Sequence, residues 1–532
     1  MPAMDQWWDD CVSEDTVRMQ NEDGSNKDLH LLWGDRVRVL DQDAATGRSK
    51  VFARGETGWV PNDALGGDPL LEIYIIDVGQ GDGLLVVTPE GHHIMIDGGD
   101  LRGRQQTGKN AADFVDWKFF KDYRIFNERD TNTTQMHFDA LVVSHADRDH
   151  YGGLHDLVKA EPGRVEDELN CAGITAEAFY HPGLCPQRSG TDDLGPKQGE
   201  HFVNLLDDRD SAVAGLDGTH PDNLEIRGQY ADFIEDVVNV NTKAGDSTPF
   251  VRLSHETGFL PGFEPGGDSA VQIKVLGPVE NNVGGRPALF DMGNEGVNKN
   301  GHSVALRLDY GDRKFLLAGD LNHKSQELIM EHYDDQFETE WGVDVAKACH
   351  HGSHEQSFEF LQGLKPLGSV ISSGDANTYD HPRAWILGAH ALVGRIIRHE
   401  KGGSTRLKAP LVYSTEIARS VNLKRIKRLH RFTESQEFRR PVAEPEEVVS
   451  GNVTLSKWRA VFDTRSNNAA DNQPANLFRG MQGVIYGLVN VRSDGNRLLF
   501  AVRNEGNSSW AYETIEEDEI DTAVEATINF GP

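Results

Sequence analysis

Apolar runs in this chain are short, and four of them end in residues able to bind a metal. Residues 141–143 precede His145, 315–318 precede Asp320, 343–348 precede His350, and 370–373 precede Gly374-Asp375. Runs of this length predict buried strands. Strands that each deliver a polar side chain at one end let a rigid sheet aim several of them at one point. A further apolar run, 71–78, predicts a strand after the turn-rich Gly66-Gly67-Asp68-Pro69, and 152–160 predicts a helix. Upstream, 31–40 and 57–61 predict short strands. Downstream, 480–491 and 497–502 flank Asp494-Gly495, a hairpin signal. The pattern divides the chain into an acidic N-terminus with a small β module (1–66), a central domain (70–410), a connecting segment (411–447) and a β-rich C-terminal domain (448–532).

Composition supports that division, because 532 residues exceed what one compact core covers. With 38% hydrophobic and 26% charged residues the chain reads as globular. No apolar run approaches the roughly 20 residues of a membrane helix, and the N-terminus lacks the basic start and apolar stretch of a signal peptide. The expectation is a cytoplasmic protein without a membrane partner. Cys11, Cys171, Cys185 and Cys349 lie far apart, which disfavours a disulfide framework and a zinc knuckle. A net charge of -32 argues against a chain-wide polyanion-binding surface. The stretch 395–440 is the exception, with thirteen basic against four acidic residues. Lys424, Arg425, Lys427 and Arg428 within it are candidates for binding an anionic substrate; the alternative is a solvated basic surface paired with the acidic remainder.

The run Ser144-His145-Ala146-Asp147-Arg148-Asp149-His150 places two imidazoles and two carboxylates within six residues. Such groups crowd together at low cost only around a cation. His145 and Asp147 can face one ion and Asp149 and His150 another, with Asp320 between them and His350-His351 closing the second site. The alternative is a polar loop with Asp149 capping a helix.

In order along the chain, Ile76-Asp77-Val78-Gly79-Gln80-Gly81-Asp82, the His-x-Asp-x-Asp-His run, Gly319-Asp320, His350-His351-Gly352-Ser353 and Asn377 to His381-Pro382 resemble the ComEC-type hydrolase domain of the metallo-β-lactamase superfamily. The resemblance covers about residues 71–400. It implies an α+β fold, a four-layer αββα sandwich, with two divalent metal ions between the sheets. His145 and Asp147 would bind the first ion, Asp149, His150 and preferably His350 the second, and Asp320 would bridge them. Asp77, Asp82, Asp97, His351 and Asn377 would orient these ligands, and His381 would face substrate phosphate, donate a proton, or only fix the turn before Pro382. Asp147 stands where many superfamily members have His, which moves the expected metal from zinc toward manganese or magnesium. A further histidine that many relatives supply has no clear match; His181, His201, His220, His255 and His302 are candidates by position alone. Residues 31–40 and 57–61 resemble a bacterial SH3-like β-barrel, expected either to dock a protein partner or to cover one side of the enzyme.

Paired metals lower the pKa of a bridging water and stabilise a displacement. From the resemblance, a phosphodiesterase or nuclease acting on nucleic acid or nucleotides is expected, with Asp149 orienting the nucleophile. The alternatives are an ester, lactone or β-lactam hydrolase and a non-catalytic adaptor.

Overall fold

The computed structural model describes residues 8–105, 107–123, 135–159, 169, 171, 173–187, 194–374, 381–401, 404–416, 422–431, 458–463, 487–503 and 509–525. Two sheets form its centre. The first has nine strands in the order Phe250–Arg252, Phe179–His181, Ala140–Val142, His93–Gly98, Gly83–Val87, Leu71–Ile75, Val489–Ser493, Leu498–Arg503 and Trp510–Ile515. The second has six, in the order Gln272–Gly277, Ala305–Tyr310, Arg313–Ala318, Val345–Lys347, Gly368–Ile371 and Leu411–Ser414.

Alternation within strands explains how these sheets stack. In Arg313–Ala318, Phe315 and Leu317 join a core shared with Ile73, Leu84, Ile94 and Val142 of the first sheet. Leu316 and Ala318 point the other way, into a core with Ile329, Trp341, Phe360 and Ile386. His93–Gly98 does the same in the first sheet, with Ile94 and Ile96 facing the second sheet and Met95 facing Ala112, Leu154 and Phe233. A strand apolar on both faces has to be covered on both, so helices lie on the outer face of each sheet.

Parallel pairing puts the chemistry at one edge. Ala140–Val142 runs parallel to His93–Gly98, and Arg313–Ala318, Val345–Lys347 and Gly368–Ile371 run parallel to one another. Their C-terminal ends therefore emerge together, carrying Asp97, His145, Asp320 and His351.

The expected C-terminal division needs correcting. Residues Val489–Ser493 pair antiparallel with Leu71–Ile75 and extend the first sheet, and Leu411–Ser414 closes the second beside Gly368–Ile371. The strands from Val489 to Ile515 thus belong to the first sheet and not to a separate β domain. Leu71–Ile75 is buried throughout and would otherwise be a bare edge, which the three C-terminal strands cover.

The N-terminal residues form a six-stranded sheet around Val12, Met19, Leu31, Val37, Val51 and Val60. The expected 31–40 run is split by a turn into Asn26–Leu32 and Arg36–Asp43. This unit is joined to the first sheet by Arg492, which is fully buried. Its guanidinium lies 2.7 Å from Asp35 and 3.1 Å from Glu72, and it donates to the Trp33 carbonyl.

Candidate metal centre

The strand Ala140–Val142 leads through Ser144 and His145 directly into the helix Arg148–Val158, which begins four residues before the sequence pattern suggested. Gly152 and Gly153 belong to this helix because its backbone lies against a strand end. A Cβ at Gly153 would come within 1.8 Å of the Gly98 carbonyl oxygen. Asp149 and His150 consequently fall in the first helical turn. Asp147 occupies the position before it but makes no capping hydrogen bond.

His150 is completely buried, and its Nδ1 lies 2.8 Å from Asp97 Oδ2. That contact places the proton on Nδ1 and leaves Nε2 as a lone-pair donor. Nε2 lies 3.2 Å from Asp320 Oδ2. His351 is arranged alike. Its Nδ1 is 3.1 Å from Asp82 Oδ1 and 3.3 Å from the Ser372 carbonyl, while its Nε2 is 3.1 Å from Asp320 Oδ2 and 3.8 Å from Asp149 Oδ2. His150 Nε2, His351 Nε2 and Asp320 Oδ1 are buried without a hydrogen-bond partner. Asp82, His150, Asp320 and His351 each offer a ligand atom within 4.8 Å of the others. Asp82 is also paired with the buried ammonium of Lys347, and it meets His351 Nδ1 as Asp97 meets His150 Nδ1.

The charges show what the cluster is short of. Burial by itself would depress the His351 imidazole, but Asp320 and Asp82 outweigh it and raise the pKa to about 10. Burial likewise opposes a charged His150, and Asp320 and Asp97 hold its pKa well above the ordinary value. Asp320 is held low against its burial by His351, His150 and His350. In the cluster the carboxylates hold protons on the imidazoles, and a divalent cation can take the place of those protons. The residues present therefore fit such an ion at His150, Asp320 and His351, with Asp149 Oδ2 3.8 Å from His351 Nε2.

The preference for His350 is reversed, because its Nε2 is 3.8 Å from Asp320 and 3.3 Å from an Asn300 amide atom. The chain turns sharply here, with φ of 45° at His350 and 50° at His351, and Asp97 has φ 56°. Left-handed backbone costs a non-glycine residue about 1–3 kcal/mol and tends to gather at functional sites.

His145 lies beside this cluster, its Nδ1 held by Ser144 Oγ at 3.1 Å and Ser303 Oγ at 3.2 Å. Its partner Asp147 is 3.6 Å away and accepts from Lys299 at 2.5 Å. Asp82 and Asp97 are buried, whereas Asp77 is exposed. His381 lies edge-on to the His350 ring, 5.7 Å away. Asn377 lies outside the described residues. None of the five positional histidines joins the cluster. His181 lies between Phe179 and Phe250, His201 faces Phe290, His302 contacts the Phe290 carbonyl, His255 faces His332, and His220 contacts Asp222. Lys424, Arg425, Lys427 and Arg428 lie on a strand, Asn422–Arg431, paired with Trp458–Asp463, and their side chains are outside the described residues. Of the other basic residues in that stretch, Arg395 pairs with Asp344 and Lys408 with Glu519.

Sequence reasoning passed over Lys347, Lys299, Asn300 and Ser303. One signal was available, since Lys347 ends the strand Val345–Lys347, whose other residues are apolar. A lysine there needs a buried anion.

No known family model matches the chain. Among characterised proteins it is similar to "ComE operon protein 3" of Bacillus subtilis (strain 168), with 30% identity over 343 residues, 63% of this chain and 33% of that one. It is also similar to "Competence protein ComA" of Neisseria gonorrhoeae, with 36% identity over 87 residues, 16% of this chain and 12% of that one. The chain thus spans about a third of the first relative's length. Among solved structures, a diphosphatase of the PhnP family aligns over 56% of this chain and 85% of its own, with a TM-score of 0.25 and 11% identity. Among the described residues no helix is long and apolar enough to cross a membrane. The chain is thus similar to one region of ComE operon protein 3.

Proposed function

We propose that this chain is a metal-dependent hydrolase with the αββα sandwich of the metallo-β-lactamase fold, acting on phosphodiester bonds of nucleic acid or nucleotides. The observation that carries this reading is the convergence of His150 Nε2 and His351 Nε2 on Asp320, each imidazole oriented by a buried carboxylate. Similarity to competence proteins and the basic stretch 395–440 support the phosphodiester class.

A divalent ion supplies Lewis acidity and a water of lowered pKa when bound. The chain's own groups do the rest. Asp97 and Asp82 fix the imidazole tautomers. Asp149, with its side chain 27% exposed, lies at the mouth and aligns the nucleophile, while the Gln80 amide holds its Oδ2 at 3.0 Å. Burial, followed by the charge of His351, pushes the His381 imidazole down to about 2. It is therefore neutral at pH 7 and serves as a hydrogen-bonding group to a substrate oxygen, not as a cationic acid. The N-terminal unit is an SH3-like barrel whose bolting through Arg492 supports a covering role.

The test is hydrolysis of single- and double-stranded DNA, RNA, cyclic nucleotides and a lactone, with manganese, zinc or magnesium, by wild type and Asp149→Ala. Phosphodiester turnover that falls by about 100-fold or more in Asp149→Ala is expected, the scale of a lost catalytic group. Turnover of the lactone alone would move the assignment to carbonyl chemistry, and equal rates in both proteins would mean a contaminant.

A further inference from the structure

Two ligand pairs were expected to hold two ions, but only one of them is left open for a cation. Asp147 Oδ1 lies 2.5 Å from the Lys299 ammonium, which Glu295 Oε1 flanks at 3.3 Å. With the Asn300 amide in the orientation that satisfies its neighbours, its nitrogen donates to Asp147 Oδ2 at 2.9 Å and to the Gly296 carbonyl at 3.2 Å. Both carboxylate oxygens of Asp147 are therefore engaged by one short helix, Glu295–Gly301.

That helix is held firmly over the site. Asn294 caps it by accepting from the Val297 amide, the Asn298 side chain binds Met292, Asp291 and Gly293, and the Asn322 amide donates to the Val297 carbonyl. The Lys299 side chain is only 15% exposed. His145 and Asp147 are absent from the closely spaced group of ligand atoms, which among the described residues comprises Asp82, His150, Asp320 and His351; Asp149 lies outside that group too, but its Oδ2 comes within 3.8 Å of His351 Nε2.

We propose that the Lys299 ammonium takes the place of the first metal ion, so that the centre loads a single divalent cation at Asp149, His150, Asp320 and His351. A divalent ion bound at His145 and Asp147 would sit against a fixed ammonium in a poorly screened environment, where like charges repel strongly. The ammonium supplies the positive charge that a second ion would otherwise bring to an anionic substrate. This inference rests on the metal-hydrolase reading above.

The test is metal content per chain, measured by elemental analysis after saturation with manganese or zinc and removal of excess, together with the electron paramagnetic resonance spectrum of the manganese form. Wild type should hold one ion and show an uncoupled manganese signal. Lys299→Asp, which removes the ammonium and adds a ligand, should hold two and show spin coupling, and Lys299→Ser is the milder second variant. Two ions in wild type would overturn the inference whatever the variants do, while leaving the hydrolase reading intact. No ion in wild type would overturn both. A folded Lys299→Asp and a folded Lys299→Ser that both still hold one ion would show that Lys299 is not what excludes the second.

Discussion

Replacing Asp97 by Asn tests whether a buried carboxylate sets the metal affinity from outside the ligand shell. Asp97 Oδ1 accepts from the Ser144 amide at 2.7 Å. Its Oδ2 accepts from Ser144 Oγ at 2.6 Å and from His150 Nδ1 at 2.8 Å. An asparagine of the same shape keeps its oxygen toward the Ser144 N–H, because the opposite orientation would set donor against donor. Its NH2 then faces His150 Nδ1 and forces that nitrogen to accept, which moves the imidazole proton to Nε2. Nε2 is the atom aimed at Asp320, so the imidazole is in the wrong tautomer for a ligand. Loss of such an orienting partner weakens metal binding by about 10–100-fold, or about 1.4–2.7 kcal/mol. Competition against a chelating dye at pH 7.5 measures this, with circular dichroism to show that the variant is folded. Affinity within twofold of wild type in a folded Asp97→Asn protein would refute the reasoning.

Two further outcomes concern the scaffold. Arg492→Met leaves Asp35 and Glu72 buried without their shared guanidinium, so urea unfolding should show a loss of about 3–5 kcal/mol; a loss under about 1 kcal/mol would mean that Arg54, 2.5 Å from Asp35, and Lys118, whose charge acts on Glu72, suffice to neutralise them. Acid should also destabilise the fold, because burial pushes His93 and His181 each down to about 3. Below the ordinary value of 6.5 the unfolded chain takes up a proton that the folded chain refuses, so stability present above that pH is lost as pH falls toward 3. The slope is about 1.4 kcal/mol per pH unit for each histidine, or about 2 kcal/mol each at pH 5. Urea midpoints at pH 7 and pH 5 should show this, with a smaller loss in His181→Phe than in wild type; identical losses would contradict it.

The sequence by itself determined which chemical groups are available and where strands would deliver them. Four apolar runs ending in His145, Asp320, His350 and Gly374-Asp375 announced strands, and strands were found at Ala140–Val142, Arg313–Ala318, Val345–Lys347 and Gly368–Ile371. These features are local, since apolar periodicity and residue type are properties of adjacent positions. Only the tertiary structure decided what depends on distant segments. His350 and His351 are indistinguishable in sequence, and a pair of left-handed residues turns the second, not the first, onto Asp320. Gly152 and Gly153 opened the expected helix, and only the strand end at Gly98 shows why it has no side chains there. The C-terminal strands looked like a separate domain because nothing local says that Val489–Ser493 pairs with Leu71–Ile75. Lys299, about 150 residues from Asp147 in the chain, meets it only because a capped helix is folded over the site. The residue types were legible, but the partner of each charge was not, because charge pairing is set by packing in space.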